Sequence, residues 1–136
     1  MENLRGLELT NAMKRCYEYP KYSVGVIFDN ESRMHDFIEA MKEEMETSEL
    51  WSVAPRKKMI SCKNGSYITA IYYPGATKTG MKGYRFNEIL FDGEIFTDGI
   101  IKTVFYPLLQ TYKIDESLER NGKTTLDNFL DEFKIN

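Results

Sequence analysis

The sequence predicts an α/β fold: a small sandwich with a partly parallel sheet, helices on both faces and one β-hairpin at about 58–73. Three observations lead there. Two short apolar runs, "YSVGVIF" at 22–28 and "ILF" at 89–91, read as strands, the first fitting a strand buried on both faces as in a parallel sheet. Stretches with apolar residues at helical spacing lie around them. Asn64-Gly65 separates two β-prone runs, a strong local signal for a hairpin. At 136 residues the chain suits a single domain, 1–136, with a core large enough to fold unaided.

Taken in order, residues 4–17 read as a helix with Leu4, Leu7, Ala12, Met13 and Cys16 on a ragged apolar face, stopped by Pro20. The run at 22–28 is the first buried strand. Asp29 or Asn30 then caps a helix over 31–46, where Met34, Phe37, Ile38, Met41 and Met45 form the apolar stripe and Glu39, Lys42, Glu43 and Glu46 the wet face. Its methionines fit core packing better than a pliable binding face. Residues 48–58 read as a loop or edge segment. The runs 58–63 and 66–73 pair antiparallel through Asn64-Gly65, both residues being expected at positive φ. "PGATKTGMKG", 74–83, is a Gly-rich loop, and 88–92 is the next apolar strand. Asp98 is expected to cap a helix over 99–111 that Pro107 kinks or ends. Residues 112–123 read as a polar loop, and Thr124 caps a last short helix with Leu126, Phe129, Leu130 and Phe133 as its stripe.

Composition narrows the function classes. Aromatic residues make up 13% of the chain, which implies an aromatic core. A net charge of −3 argues against a broad nucleic-acid surface, so any such contact is local. Cys16 and Cys62 form no CxxC pair and are expected as reduced thiols. His35 is the only histidine; it excludes a multi-histidine metal cage and reads as a surface residue beside Asp36. There is no apolar signal core at the start and no run long enough for a membrane span. The expectation is a cytoplasmic protein of a bacterium or another host cell.

The stretch "YRFNEILFDGEIF" carries the chemistry worth weighing. A nucleotide hydrolase needs an acid at the end of a buried strand to hold Mg2+ through water, and a second acid nearby to orient the attacking water. Asp92 ends the apolar run and fits the first role, with Asp92 as the metal ligand; Glu94 fits the second, although Gly93 separates them. The same residues also fit a turn opened by Asp92-Gly93 with Glu94 in solvent. A strand-end acid of this kind is expected to be mostly solvated. Lys78, Lys82 and Arg85 cluster around the Gly-rich loop, and Tyr72, Tyr73 and Tyr84 stand near them as stacking candidates for a nucleotide or a nucleic acid. Arg56, Lys57 and Lys58 make a second small basic patch near Trp51.

"NGSYI" at 64–68, "KGYRFNEILFDGEIF" at 82–96 and "IIKTVFYPLL" at 100–109 follow one another in an order that resembles the ATPase core of phage terminase large subunits and their helicase-like P-loop relatives. In that resemblance "LELTNAMKRCYEYPKYSVGVIF", 7–28, looks like the helix and strand that follow the phosphate loop, and the strand ending at Asp92 stands where the family has its Walker B acid. The phosphate loop itself, GxxxxGK[ST], is not where the family has it: "MENLRGLELT" has no lysine before Lys14. Backbone amides and that lysine together make the phosphate cradle. The resemblance therefore implies a truncated or degenerate relative of phage or mobile-element origin.

Three readings stand. The first is a non-catalytic interaction protein that binds a protein partner. The second is a protein that binds or hydrolyses a Mg-nucleotide through Asp92 and Glu94. The third is a metal-dependent nuclease using Glu88, Asp92 and Glu94.

Overall fold

The computed structural model describes residues 6–73 and 83–112. The expectations placed on most of the Gly-rich loop, including Lys78 and Lys82, and on the helix capped by Thr124 lie outside them.

Among the described residues five strands form one mixed sheet: β1 (Ser23–Phe28), β2 (Trp51–Ala54), β3 (Met59–Cys62), β4 (Tyr67–Tyr72) and β5 (Glu88–Asp92). Their order is β2-β3-β4-β1-β5. β1 runs parallel to β4 on one side and to β5 on the other, with Val26 opposite Ala70 and Leu90. β2 and β3 extend the sheet antiparallel. All six residues of β1 are buried, which explains why that stretch is a continuous apolar run.

Side chains alternate between the two faces. Val24, Val26 and Phe28 join Ile68 and Ala70 against α1 (Gly6–Glu18) and α2 (Glu31–Glu44), whose Ala12, Cys16, Met34, Ile38 and Met41 complete that core. Ile27 and Ile71 face the other way, into an aromatic cluster of Tyr73, Phe86, Phe96 and Phe105. Phe105 meets Phe91 edge-on, with ring centroids 5.0 Å apart. Helices thus cover both faces, as expected. The α2 methionines Met34 and Met41 are core residues.

Phe86 lies across Gly25, so a Cβ there would fall 2.7 Å from the ring. The glycine in the middle of a buried strand is the space the ring occupies.

Three local expectations are corrected. The 59–72 hairpin turns through three residues, not two. The Gly65 N–H donates to Cys62 O at 3.0 Å and the Cys62 N–H to Ser66 O at 2.8 Å. Only Gly65, at φ +93°, takes positive φ; Asn64 does not. Asn64 is needed elsewhere. Its Nδ2 donates to Cys16 O (2.8 Å) and Tyr17 O (3.2 Å), carbonyls at the end of α1. Ser66 Oγ adds a bond to Tyr19 O (2.6 Å) and accepts from Tyr22 N (2.9 Å). The "NGS" turn therefore holds the helix end as well as the strands.

The second correction lies after β5. Thr97, not Asp98, caps the helical stretch, its hydroxyl accepting from Ile100 N. α3 (Asp98–Ile100) widens at once into a π turn, Ile101–Phe105, and tightens into a 3-10 turn, Tyr106–Leu108. Pro107 has no N–H to give the Thr103 carbonyl and its ring would strike it, so the backbone widens just before the proline. The third concerns Tyr73, which is buried in the aromatic core and cannot stack on a base. Of the two candidate caps for α2, Asn30 is the one used. His35 is exposed, as expected. Among the described residues no helix is long and apolar enough to cross a membrane.

Gly25→Ala should cost about 1–3 kcal/mol, because the added methyl displaces Phe86 from a packed core. Urea unfolding checks this: the midpoint falls while the slope stays the same.

Cys16 is fully buried, and burial, assisted by the nearby Glu88 charge, pushes its thiol up to about 12 from an ordinary value of 9.0. In the unfolded chain the thiol ionises first, so the native state holds the extra proton between pH 9 and 12 and stability falls as pH rises through that window. Cys16→Ala should flatten this alkaline loss when the melting temperature is followed from pH 8 to 11.

Candidate functional site

In a parallel sheet the carboxyl ends of neighbouring strands open on the same edge, and ligands of α/β proteins commonly bind there. β1 and β5 are such neighbours, and each ends in an acid. β1 leads into Asp29 and β5 ends at Asp92; the Asp29 N–H donates to Asp92 O at 3.1 Å. Asn30 follows and caps α2, its Oδ1 accepting from Arg33 N at 3.0 Å. The first turn of a 14-residue helix therefore stands over the two strand ends.

Arg33 sits in that first turn and reaches back to β5. Its Nε donates to Asp92 Oδ1 and its terminal nitrogen to Oδ2, both at 2.9 Å. This two-pronged pair is the tightest geometry a guanidinium makes with a carboxylate. Asp92 is 3% exposed, which corrects the expectation of a solvated acid. Hydrogen bonding to Asp92 raises the Arg33 pKa above its ordinary value, with the Asp92, Asp29 and Asp36 charges acting in the same direction.

Gly93 shapes the other wall. It holds φ +139°, and a Cβ at that position would fall on the Asp29 carboxylate. The chain then curls so that Ile95 N approaches Asp29 Oδ2 at 3.5 Å. The glycine that separates Asp92 from Glu94 is thus the residue that lets Asp29 fit. Glu94 is exposed.

Glu88, the third acid of the nuclease reading, stands at the opposite end of β5, about 13 Å from Asp92 by strand rise. There it is bonded by Arg15 of α1, Nε to Oε1 at 2.5 Å and a terminal nitrogen to Oε2 at 2.6 Å, and by Tyr22 Oη at 3.0 Å. The Arg15 pKa is raised chiefly by the Glu88 bond; that of Tyr22 is raised by burial and by the adjoining carboxylate. Among the described residues no three His, Cys, Asp or Glu side chains come together as a metal cage. Arg85 is exposed and donates to its neighbour, Tyr84 O, at 2.6 Å. Tyr84 stacks on Phe86 with centroids 5.5 Å apart.

Sequence reading took Asp29 only as a candidate helix cap and missed Arg33. The available signal was that both apolar runs lead into an acid, which parallel pairing would bring side by side.

No family model matches this chain, and the curated proteins and the solved structures give no match either.

Arg33→Ala should destabilise the protein by roughly 1–3 kcal/mol by stripping a buried carboxylate of its partner, the lower half applying if water reaches Asp92 past the half-exposed arginine. A double-mutant cycle with Asp92→Ala, read by chemical denaturation, should give a coupling of at least about 0.5 kcal/mol.

Proposed function

We propose that this chain is a non-catalytic interaction protein, built on a core resembling that of the terminase and helicase-like ATPases, of phage or mobile-element origin, and that it works by binding a protein partner. The observation that supports this reading is the occupancy of Asp92. The acid in the Mg2+-holding position is buried and held at both oxygens by Arg33. A guanidinium placed there supplies the positive charge that a divalent cation would otherwise bring. The sequence around Arg5-Gly6 lacks the lysine that would meet nucleotide phosphates.

A second reading has its own support. Asp29 and Asp92 end adjacent parallel strands beside the amino end of α2, which is a familiar place for a Mg-nucleotide. It requires Arg33 to release Asp92, with Glu94 turning in from solvent to serve as the second acid.

The two readings part on a thermal melt with millimolar Mg-ATP, Mg-GTP or Mg-ADP. A nucleotide at 100 times its Kd would add about 2.7 kcal/mol and raise the midpoint by a few degrees. The expected outcome is no shift. A rise that disappears in Asp92→Ala would replace the interaction reading with the nucleotide one.

A further inference from the structure

A groove of about 590 Å3 lies between the carboxyl half of α2 and β2, away from the strand ends described above. Its apolar lining includes Met45, Trp51 and Val53, all half-buried. Glu39, Glu43 and Glu46 stand along it, exposed, against the single positive charge of Lys42.

Among the described residues β2 is an outer strand of the sheet, and one row of its backbone groups has no neighbouring strand there. The Lys63 N–H donates to Leu50 O at 2.9 Å, which sets the alternation along β2. Ser52 and Ala54 turn their backbone groups toward β3; Trp51 and Val53 turn theirs to the open edge. The Trp51 N–H is taken by Ser48 Oγ at 2.9 Å, which also fixes how the chain enters the strand. The Trp51 carbonyl and both backbone groups of Val53 therefore line the edge immediately beside the groove.

We propose that this edge and groove together take up an extended, lysine- or arginine-rich segment of a partner protein, added to the sheet as a strand. The proposal rests on the interaction reading and names its surface. Main-chain bonds to β2 give the segment its hold, and every second side chain enters the groove. Side chains placed there meet three glutamates and the indole of Trp51, and a cation satisfies both, the carboxylates by charge and the ring face by its quadrupole. A second copy of this chain is the poorer occupant. Its own β2 reads Trp-Ser-Val-Ala, with no cation to offer, and a symmetric pairing would set glutamates against glutamates.

Trp51 is the only tryptophan, so its emission reports on this groove alone. The full chain is titrated with the peptide Lys-Thr-Lys-Thr-Lys-Thr. A saturable change in Trp51 emission is expected, weakened at least about tenfold by the Glu43→Lys/Glu46→Lys double variant and by methylating the peptide's backbone nitrogens. The corresponding Glu-Thr peptide should give no change. The proposal is overturned by silence at millimolar peptide, by an undiminished response to the methylated peptide, or by an equal response to spermine, which carries charge without a strand. Circular dichroism checks that the double variant folds; the methylated peptide probes the same contact with the protein unaltered. A Mg-nucleotide shift that disappears in Asp92→Ala would overturn the interaction reading while leaving this test intact, and a silent Trp51 would overturn the groove proposal while leaving the interaction reading standing.

Discussion

β1 exchanges main-chain hydrogen bonds with parallel neighbours on both sides and buries side chains on both faces. A strand in that position tolerates no polar side chain without a partner and no surplus volume. Gly25 makes room for Phe86, and the strand's one polar side chain, Ser23, is met by Asn87, whose Oδ1 accepts from the Ser23 hydroxyl at 3.2 Å. The two helices on one face and the aromatic cluster on the other both take their positions from this strand. So does the candidate site, because the end of β1 fixes Asp29, Asn30 and the first turn of α2.

β5 is the other outer strand among the described residues, and it carries two acids on its helix-facing side. Each is held by an arginine from a different helix: Glu88 by Arg15 of α1 and Asp92 by Arg33 of α2. Carboxylates taken out of water require a cation or several donors. A half-exposed arginine on a helix supplies both without being fully buried itself, since its aliphatic stem covers apolar surface while one edge of the head stays wet. These two pairs tie the helices to the edge of the sheet at its opposite ends. An acid at the end of a buried strand is chemically the same group whether a metal or a guanidinium neutralises it. The one-dimensional pattern does not distinguish the two.

The opposite edge of the sheet is built differently. β2 has four residues, lies beside a groove bordered by glutamates, and is followed by Pro55. Short length and a following proline are among the ways an edge strand is kept from pairing indiscriminately. Negative charge along the groove would repel an acidic chain and favour a basic one.

Features that depend on near neighbours are legible along the chain: the buried strand at 23–28, the strand at 88–92, the stripe of α2, the hairpin and its glycine. Burial on both faces leaves a continuous apolar run, a helix face repeats every three or four residues, and a left-handed turn residue is most cheaply a glycine; each of these is written within a few positions of the chain. Three pairings come from the folded arrangement alone: Asn64 and Ser66 hold the end of α1, Asp29 lies over Gly93, and Arg33 takes Asp92. The last of these joins residues 59 apart and the Arg15–Glu88 pair joins residues 73 apart. A charge's partner is set by which strand ends and helix turns the sheet order brings together, and that order depends on the packing of the whole core rather than on any local run of residues.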